Sequence, residues 1–171
     1  IAIMVAVYAV GAISGAHINP AITIAMATRG RFAWSEVGPY IASQLAGAFA
    51  AAAVLFVLFN PYLKAREEEK QVVRGAAGSE IPAMCYGEYF PSPGPLSNAS
   101  GPYTVDAHER LNAMVSEPAA FLAELLGTML LALVVLAVTD DRNPQAPGAG
   151  LAPVFIGITV AGLISVIAPL T

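Results

Sequence analysis

Apolar residues fall into five stretches along the chain, and polar residues are gathered between them. The stretches cover residues 1–13, 18–28, 37–59, 118–138 and 151–171. No Asp, Glu, Lys or Arg occurs in the third and fifth stretches, and the fourth contains only Glu124. A helix needs about 20 apolar residues to cross the ~30 Å hydrocarbon core of a bilayer. The pattern therefore predicts an all-α membrane protein in which the second stretch is too short to span.

A long polar connection, residues 60–117, separates the third and fourth apolar stretches. It contains the charged run Ala65–Lys70 and a segment rich in Pro, Gly and Ser. Connections of this length are usually functional lids or mobile segments, so we expect a loop. Asn98-Ala99-Ser100 fits the glycosylation pattern but is too short to carry an argument. Asn60-Pro61 and Asn143-Pro144 lie in polar connections, where this dipeptide favours a turn.

The basic residues between the apolar stretches predict an orientation. Arg29 and Arg31 lie in the short connection 29–36, and basic residues near the ends of spans favour the cytoplasmic side. An even number of crossings then brings the connection 139–150 to the same side. The long connection, 60–117, is accordingly expected to be an extracytoplasmic loop.

The composition agrees with a membrane protein. Hydrophobic residues make up 57% of the 171 residues and charged residues 12%, whereas soluble domains carry about 25% charge. The mean hydropathy is +0.67. The single cysteine, Cys85, excludes an internal disulfide framework, and a net charge of −4 gives no indication of nucleic-acid binding.

Small residues recur at four-residue spacing on two of the predicted spans. In lipid, helices associate through close backbone approach rather than through the hydrophobic effect, and small residues permit that approach. The pattern therefore predicts that these spans pack in a bundle along two faces: Ser43, Gly47 and Ala51 on one, and Gly157, Ala161 and Ser165 on the other.

The second apolar stretch is interrupted at Asn19-Pro20. Asn is a favoured residue at the N-cap of a helix, and Pro fits the first helical position, where its missing N–H costs nothing. A helix from Pro20 to Thr28 would rise about 14 Å, roughly half of the hydrocarbon core. We therefore expect a helix that starts at mid-membrane depth, preceded by non-helical backbone at Gly15–Ile18, which is tolerated there only beside protein or a water-filled cavity.

Such a site favours neutral solutes that carry hydroxyl groups. The free carbonyls of the non-helical backbone accept hydrogen bonds, while the Asn19 amide and the positive end of the helix supply donors and oppose cations. The alternative is an ion- or proton-coupled transporter, which also uses broken helices but needs carboxylates, and the spans offer only Glu124. An intramembrane enzyme would need a nucleophile and a base, for which Ser14 and His17 are poor candidates. No catalytic residue, cofactor or metal is expected, because His17 has no second ligand at suitable spacing.

The segment SGAHINPAIT, residues 14–23, resembles the first signature of the aquaporin and glycerol-facilitator family. PYIASQLAGAFAAAAVL, residues 39–55, looks like the third helix of that family. AELLGTMLLALVVLAVTDDRN, residues 123–143, and GLAPVFIGITVAGLISVIAPLT, residues 150–171, resemble the fourth and fifth helices. Thr139-Asp140-Asp141, Ala152-Pro153 and the long loop look closer to the glycerol-facilitator branch.

The resemblance implies an aquaporin-like bundle of six spanning helices and two half-helices that forms a homotetramer in the plasma (inner) membrane. Residues 1–171 would be a single channel domain, truncated at both ends, that covers helices two to five. It would pass glycerol, similar polyols and water, and exclude ions and protons.

The resemblance also implies roles for individual residues. Asn19 is expected to be the pore donor, and Gly15, Ala16, His17 and Ile18 to present carbonyl groups. Pro20, Ala21 and Glu124 are expected to support the pore loop, Glu124 by accepting hydrogen bonds. The filter position on the fifth helix falls on Ile164, where glycerol facilitators tend to have Gly and water-selective members His. An apolar Ile164 argues against strict water selectivity.

Overall fold

The computed structural model describes residues 1–76, 79–93, 105–148 and 150–171. Its regular secondary structure, within those ranges, is helical throughout. The α-helices are α1 (Ala2–Ser14), α2 (Pro20–Thr28), α3 (Trp34–Lys70), α4 (Glu80–Ala83), α5 (Val105–Met114), α6 (Glu117–Val138) and α7 (Ala152–Ile167), and a 3₁₀ turn (Ala168–Leu170) follows α7. The pattern Asn98-Ala99-Ser100 and part of the connection 60–117 lie outside the described residues.

Three of the described helices are long and apolar enough to cross a bilayer. They are α3, α6 and the combined Ala152–Leu170 segment, while α1 is apolar but shorter. These are the spans that the apolar pattern predicts, and α2 has nine residues, too few to cross a bilayer, as the sequence predicts. The predicted class, an all-α membrane protein, is confirmed.

Helix α3 differs most from the prediction, because it continues to Lys70 instead of ending at Phe59. The added residues include Ala65–Lys70, which are good helix formers, and Arg66 pairs with Glu69 one turn later at 2.7 Å. The predicted turn at Asn60-Pro61 is therefore wrong. The turn predicted at Asn143-Pro144 is confirmed, and Asn143 Oδ1 accepts a hydrogen bond from the Gln145 N–H there.

The chain divides into two compact units. The first comprises Ile1–Ala48 and Leu125–Ser165, and therefore holds α1, α2, the start of α3 and most of α6 and α7. Its buried centre is formed by Ile22, Val135 and Ile156. These three side chains come from α2, α6 and α7, so the short helix α2 packs against the longer helices α6 and α7.

Helices α1 and α7 approach each other closely within the first unit. Gly157 is buried on α7, and the Met4 side chain on α1 lies where a Cβ atom of residue 157 would stand. This contact agrees with the small-residue stripe predicted for α7. The corresponding stripe on α3 is exposed, with open space around Gly47.

The second unit comprises Phe49–Glu124 and Val166–Thr171. The Arg74 guanidinium is its main polar contact: it pairs with both carboxylate oxygens of Glu67 at 2.7 and 3.0 Å. The same group donates to Asn60 Oδ1 at 2.9 Å and lies 5.8 Å from the centre of the Phe56 ring. These bonds hold the segment that follows α3 against the end of that helix.

Candidate functional site

The connection between α1 and α2 begins with a left-handed turn. Gly15 ends α1 with φ of 80°, and its N–H donates to the Gly11 carbonyl at 2.9 Å. Glycine is favoured in this conformation because it has no Cβ. Ala16 and Ile18 also have positive φ values, 47° and 53°, which is strained for a residue with a side chain, and most of all for a β-branched one. Residues 15–18 are non-helical, as the sequence predicts.

Helix α2 begins as its sequence predicts. Asn19 is extended, with φ −155° and ψ 124°, and its Oδ1 accepts a hydrogen bond from the Ala21 N–H at 2.8 Å. Pro20 is the first helical residue. Because the cap uses only Oδ1, both hydrogens of the Asn19 Nδ2 group are without a protein partner in the described part of the chain. The start of α2 therefore presents donors beside its positive end.

Thr23, one turn into α2, is the most enclosed side chain at the site, with 0% of its surface exposed. Its hydroxyl lies 3.1 Å from the Asn19 carbonyl oxygen, 3.2 Å from His17 Nδ1 and 3.0 Å from Gln44 Nε2. The hydroxyl therefore joins three segments: the connection before α2, α2 itself and α3.

Tyr40 on α3 holds the same connection from the other side. Its hydroxyl donates to the Ser14 carbonyl at 2.9 Å and accepts a hydrogen bond from the His17 N–H at 3.2 Å. The His17 ring also packs against two aromatic rings, with centroids 4.8 Å from Tyr40 and 4.9 Å from Phe32. The His17 imidazole thus packs the connection against α3.

Ser14 and His17 do not form a nucleophile–base pair. Ser14 Oγ donates to the Val10 carbonyl and accepts from the Ala16 N–H, each at 3.2 Å. The His17 side chain is directed to Thr23. The hydroxyl of Ser14 therefore stabilises the end of α1 and the turn that follows it.

Thr23, Tyr40 and Gln44 contribute to the site without being among the residues predicted from the sequence. One local signal was available, because Tyr40 and Gln44 stand four residues apart on a largely apolar helix. Residues at this spacing share a helix face, and polar groups in a span need partners. Their partners, however, lie more than twenty residues away along the chain, and sequence spacing does not reveal such contacts.

A cavity of about 810 Å³ lies within the first unit, beside the connection and along α2. Each of the five residues from Gly15 to Asn19 contributes to its wall. Apolar side chains of α1, α2, α6 and α7 form the rest of the central wall, among them Val7, Ile22, Met26, Val135, Ile156 and Val160. The polar connection therefore faces an apolar surface across the cavity.

The other end of the cavity is lined by the connection between α6 and α7. Thr139, Asp140, Asp141 and Asn143 contribute polar groups there. Arg142 pairs with both carboxylate oxygens of Asp140 at 3.0 Å, and these bonds, together with the Arg142 N–H, lower the pKa of Asp140 to about 2. Asp140 is therefore ionised and neutralised by a neighbour at physiological pH.

Four predicted site residues do not line this cavity: Pro20, Ala21, Glu124 and Ile164. Ile164 on α7 is 51% exposed and does not line the cavity, whereas Val160, one turn earlier, does. Glu124 on α6 is exposed and belongs to the second unit. Within the described residues it has no hydrogen-bond donor, so its predicted role stays a prediction.

Comparison with known proteins gives a consistent result. The family model described as "Major intrinsic protein" matches residues 1–171. Aquaporin-9 of Mus musculus is 35% identical over 159 residues, which cover 93% of this chain and 45% of that protein. The chain is also similar to proteins named glycerol uptake facilitator: that of Pseudomonas aeruginosa is 33% identical, covering 100% of the chain and 53% of the relative.

The glycerol uptake facilitator protein of Haemophilus influenzae is 35% identical, covering 99% of the chain and 56% of the relative. The chain thus spans about half the length of the curated relatives it matches. No solved structure gives a significant match.

Proposed function

The chain belongs to the major intrinsic protein family, and on that premise we propose that it contributes to a passive transmembrane channel for small neutral solutes. Its three long apolar helices make it an integral membrane protein. The proposed permeants are glycerol, similar polyols and water, in keeping with relatives named glycerol uptake facilitator and aquaporin. We place the channel in the plasma (inner) membrane.

The observation that carries the proposal is the start of α2 at the cavity wall. Among the described residues no group pairs with the Asn19 Nδ2 hydrogens, while Oδ1 caps the helix, and the four residues before Asn19 are non-helical. A solute hydroxyl both donates and accepts, so it can exchange hydrogen bonds with the Asn19 amide and with the backbone carbonyls. A cation would instead meet the positive end of α2.

The alternative, an ion- or proton-coupled transporter, has less support. Such a mechanism needs ionisable groups at the solute site. Among the described residues that line the cavity, Asp140 and Asp141 are the carboxylates. Both belong to the connection between α6 and α7, outside the long apolar helices, and Asp140 is already paired with Arg142.

We further propose the arrangement that the family resemblance implies for the rest of the protein. Residues 1–171 would be one channel domain, with 60–117 on the extracytoplasmic side and four copies in the assembly. Ile164 would face the permeation path, and Glu124 would accept hydrogen bonds from a pore loop. Both side chains are exposed, so Ile164 is accessible to a permeating solute and Glu124 to a pore loop.

The test replaces Asn19 by Asp in the protein that carries this sequence, expressed at its natural length and reconstituted in liposomes. Asp is as good an N-cap as Asn, so the start of α2 is preserved while the amide donor becomes a negative charge. We expect glycerol permeability to fall about tenfold or more and a cation leak to appear, measured by stopped-flow light scattering and by a potential-sensitive dye.

Asn60→Asp is the matched control, because it changes another Asn-Pro dipeptide that lies in the second unit and contacts Arg74. It should leave the glycerol permeability unchanged and produce no leak. Equal glycerol and water fluxes in wild type and Asn19→Asp, without a leak, would remove Asn19 from the permeation path. Uptake that stops when ion gradients are collapsed would favour the coupled transporter.

A further inference from the structure

The hydroxyl of Thr23 has only one hydrogen, yet it lies within hydrogen-bond distance of three polar groups. The Asn19 carbonyl oxygen can only accept, the Gln44 Nε2 group can only donate, and His17 Nδ1 can do either, depending on the tautomer. A hydroxyl offers one donor and two acceptor lone pairs. The three contacts are satisfied together in one arrangement only.

In that arrangement Thr23 donates to the Asn19 carbonyl and accepts from Gln44 and from a protonated His17 Nδ1. If Nδ1 were unprotonated, the single hydroxyl hydrogen could serve either Asn19 or His17. The remaining contact would then bring two lone pairs together at 3.1–3.2 Å, where a hydrogen bond should be. The Asn19 carbonyl also accepts the Thr23 backbone N–H at 3.0 Å, so a protonated Nδ1 is favoured because it alone makes all three contacts hydrogen bonds at a side chain with no solvent exposure.

The conclusion does not depend on the orientation of the Gln44 amide. Amide oxygen and nitrogen are assigned from the surrounding hydrogen bonds, and here Nε2 faces Thr23 while Oε1 is buried without a partner in the described part of the chain. With the amide reversed, Thr23 would face two groups that can only accept, Oε1 and the Asn19 carbonyl. A protonated Nδ1 would then leave one contact without a hydrogen, whereas an unprotonated Nδ1 would leave two, so Nδ1–H is again the better satisfied form.

We infer that Thr23 is a positioning residue that fixes His17 as the neutral Nδ1–H tautomer and leaves Nε2 as a hydrogen-bond acceptor. The Nε2 atom lies beside Gly15, 3.4 Å from the position that a Cβ there would take, and both residues line the cavity. Free neutral histidine favours the opposite tautomer, so the arrangement is a specific product of this contact.

The same contact orients the backbone of the connection. The Thr23 hydroxyl donates to the Asn19 carbonyl. The Tyr40 hydroxyl donates to the Ser14 carbonyl and accepts from the His17 N–H. The carbonyl groups of the residues between these two points therefore have little freedom to turn. An effect of this orientation on permeability rests on the proposed function. The assignment of the His17 tautomer does not.

The tautomer is measured directly by ¹⁵N NMR of the histidine-labelled protein at its natural length in lipid, with a His17→Asn variant to assign the signal. We expect wild type to show a protonated Nδ1 and an unprotonated Nε2 at neutral pH. A protonated Nε2 with a bare Nδ1 would overturn the inference, and this measurement needs no substitution at Thr23.

Two substitutions of Thr23 separate its hydroxyl from its shape. Thr23→Val keeps the shape and removes the hydroxyl, so His17 should move to the Nε2–H form. Glycerol permeability should fall about two- to tenfold, the range expected for one lost hydrogen bond. Thr23→Ser keeps the hydroxyl and should retain both the tautomer and the permeability.

Thr28→Val is the matched control on α2, because the Thr28 hydroxyl donates to the Ala25 carbonyl of its own helix. It should change neither quantity. Retention of the Nδ1–H form in Thr23→Val, or its loss in Thr23→Ser, would contradict the inference. If wild type passes neither glycerol nor water, the proposed function fails while the NMR measurement still decides the tautomer.

Discussion

Arg31, in the connection between α2 and α3, donates hydrogen bonds to Thr139, the first residue after α6. One bond goes to Thr139 Oγ1 at 3.1 Å and the other to the Thr139 carbonyl. The two short connections of the first unit, 29–36 and 139–150, therefore lie on the same side of it. This is the arrangement that the even number of crossings predicts.

We expect Arg31→Ala to lower the thermal unfolding midpoint by about 2–4 °C, which corresponds to roughly 1 kcal/mol in a domain of this size. The loss is modest because both partners are partly exposed to solvent. Arg29→Ala removes the other arginine of this connection, whose side chain forms no such bond within the part of the chain that the structure describes, and should shift the midpoint by less than about 1 °C. Equal shifts for the two variants would show that the Arg31–Thr139 contact contributes nothing specific.

Removal of the Tyr40 hydroxyl tests the second point at which α3 holds the connection. Tyr40→Phe keeps the ring contacts with His17 and Phe32 but leaves the Ser14 carbonyl and the His17 N–H unpaired. We expect the free energy of unfolding to fall by about 1–2 kcal/mol, measured by denaturant titration in detergent. Tyr62→Phe on the exposed part of α3 is the control and should be neutral.

The contact between Met4 and Gly157 predicts opposite effects of one substitution at two positions of α7. Gly162→Ala has open space and should stabilise the protein by up to about 1 kcal/mol, because Ala favours a helix. Gly157→Ala should destabilise it by about 1–3 kcal/mol, because the Met4 side chain must move. Met4→Ala should rescue much of that loss in a double-mutant cycle; equal effects at the two glycines would refute the contact.

The pair of Asp140 and Arg142 predicts a pH dependence at the cavity mouth. The pKa of Asp140 is lowered from 3.8 to about 2, chiefly by the hydrogen bonds of Arg142. A lowered pKa in the folded state means that the pair stabilises the fold fully above about pH 4, and that this effect is lost as the pH falls through about 2. Carboxyl ¹³C titration should show a midpoint near 2.

In Arg142→Ala that midpoint should rise toward 3.8, while Arg66→Ala, which breaks a pair in the second unit, should leave it unchanged. A midpoint near 3.8 in the wild-type protein would mean that the Asp140–Arg142 pair does not form in solution.

The sequence was informative where a signal is local. Asn favours the N-cap and Pro the first helical position whatever surrounds them. The bounds of α2 could therefore be predicted to the residue. The end of α3 could not, because Asn60-Pro61 favours a turn in isolation while the helix formers after it favour continuation. The second influence prevails, and a proline costs one backbone hydrogen bond in a long helix.

The network around Thr23 was beyond sequence patterns for a different reason. It depends on how α3 packs against α2, and this fixes which of the polar residues on α3 meet the connection. The composition indicates only that polar groups in a span must find partners. The distances in the structure identify those partners. They also show that the single hydroxyl hydrogen of Thr23 lies near three polar groups, and this assigns the His17 tautomer.

The length of α3 has a practical consequence for experiments. Its 37 residues correspond to about 55 Å of helix, more than the ~30 Å that lipid chains cover, so we expect its charged C-terminal turns to project into the aqueous phase. A fluorophore on Glu68 would report the tilt of this helix through its distance to a lipid-bound quencher. An antibody fragment raised against these charged turns would add rigid mass for imaging this small membrane protein by electron microscopy.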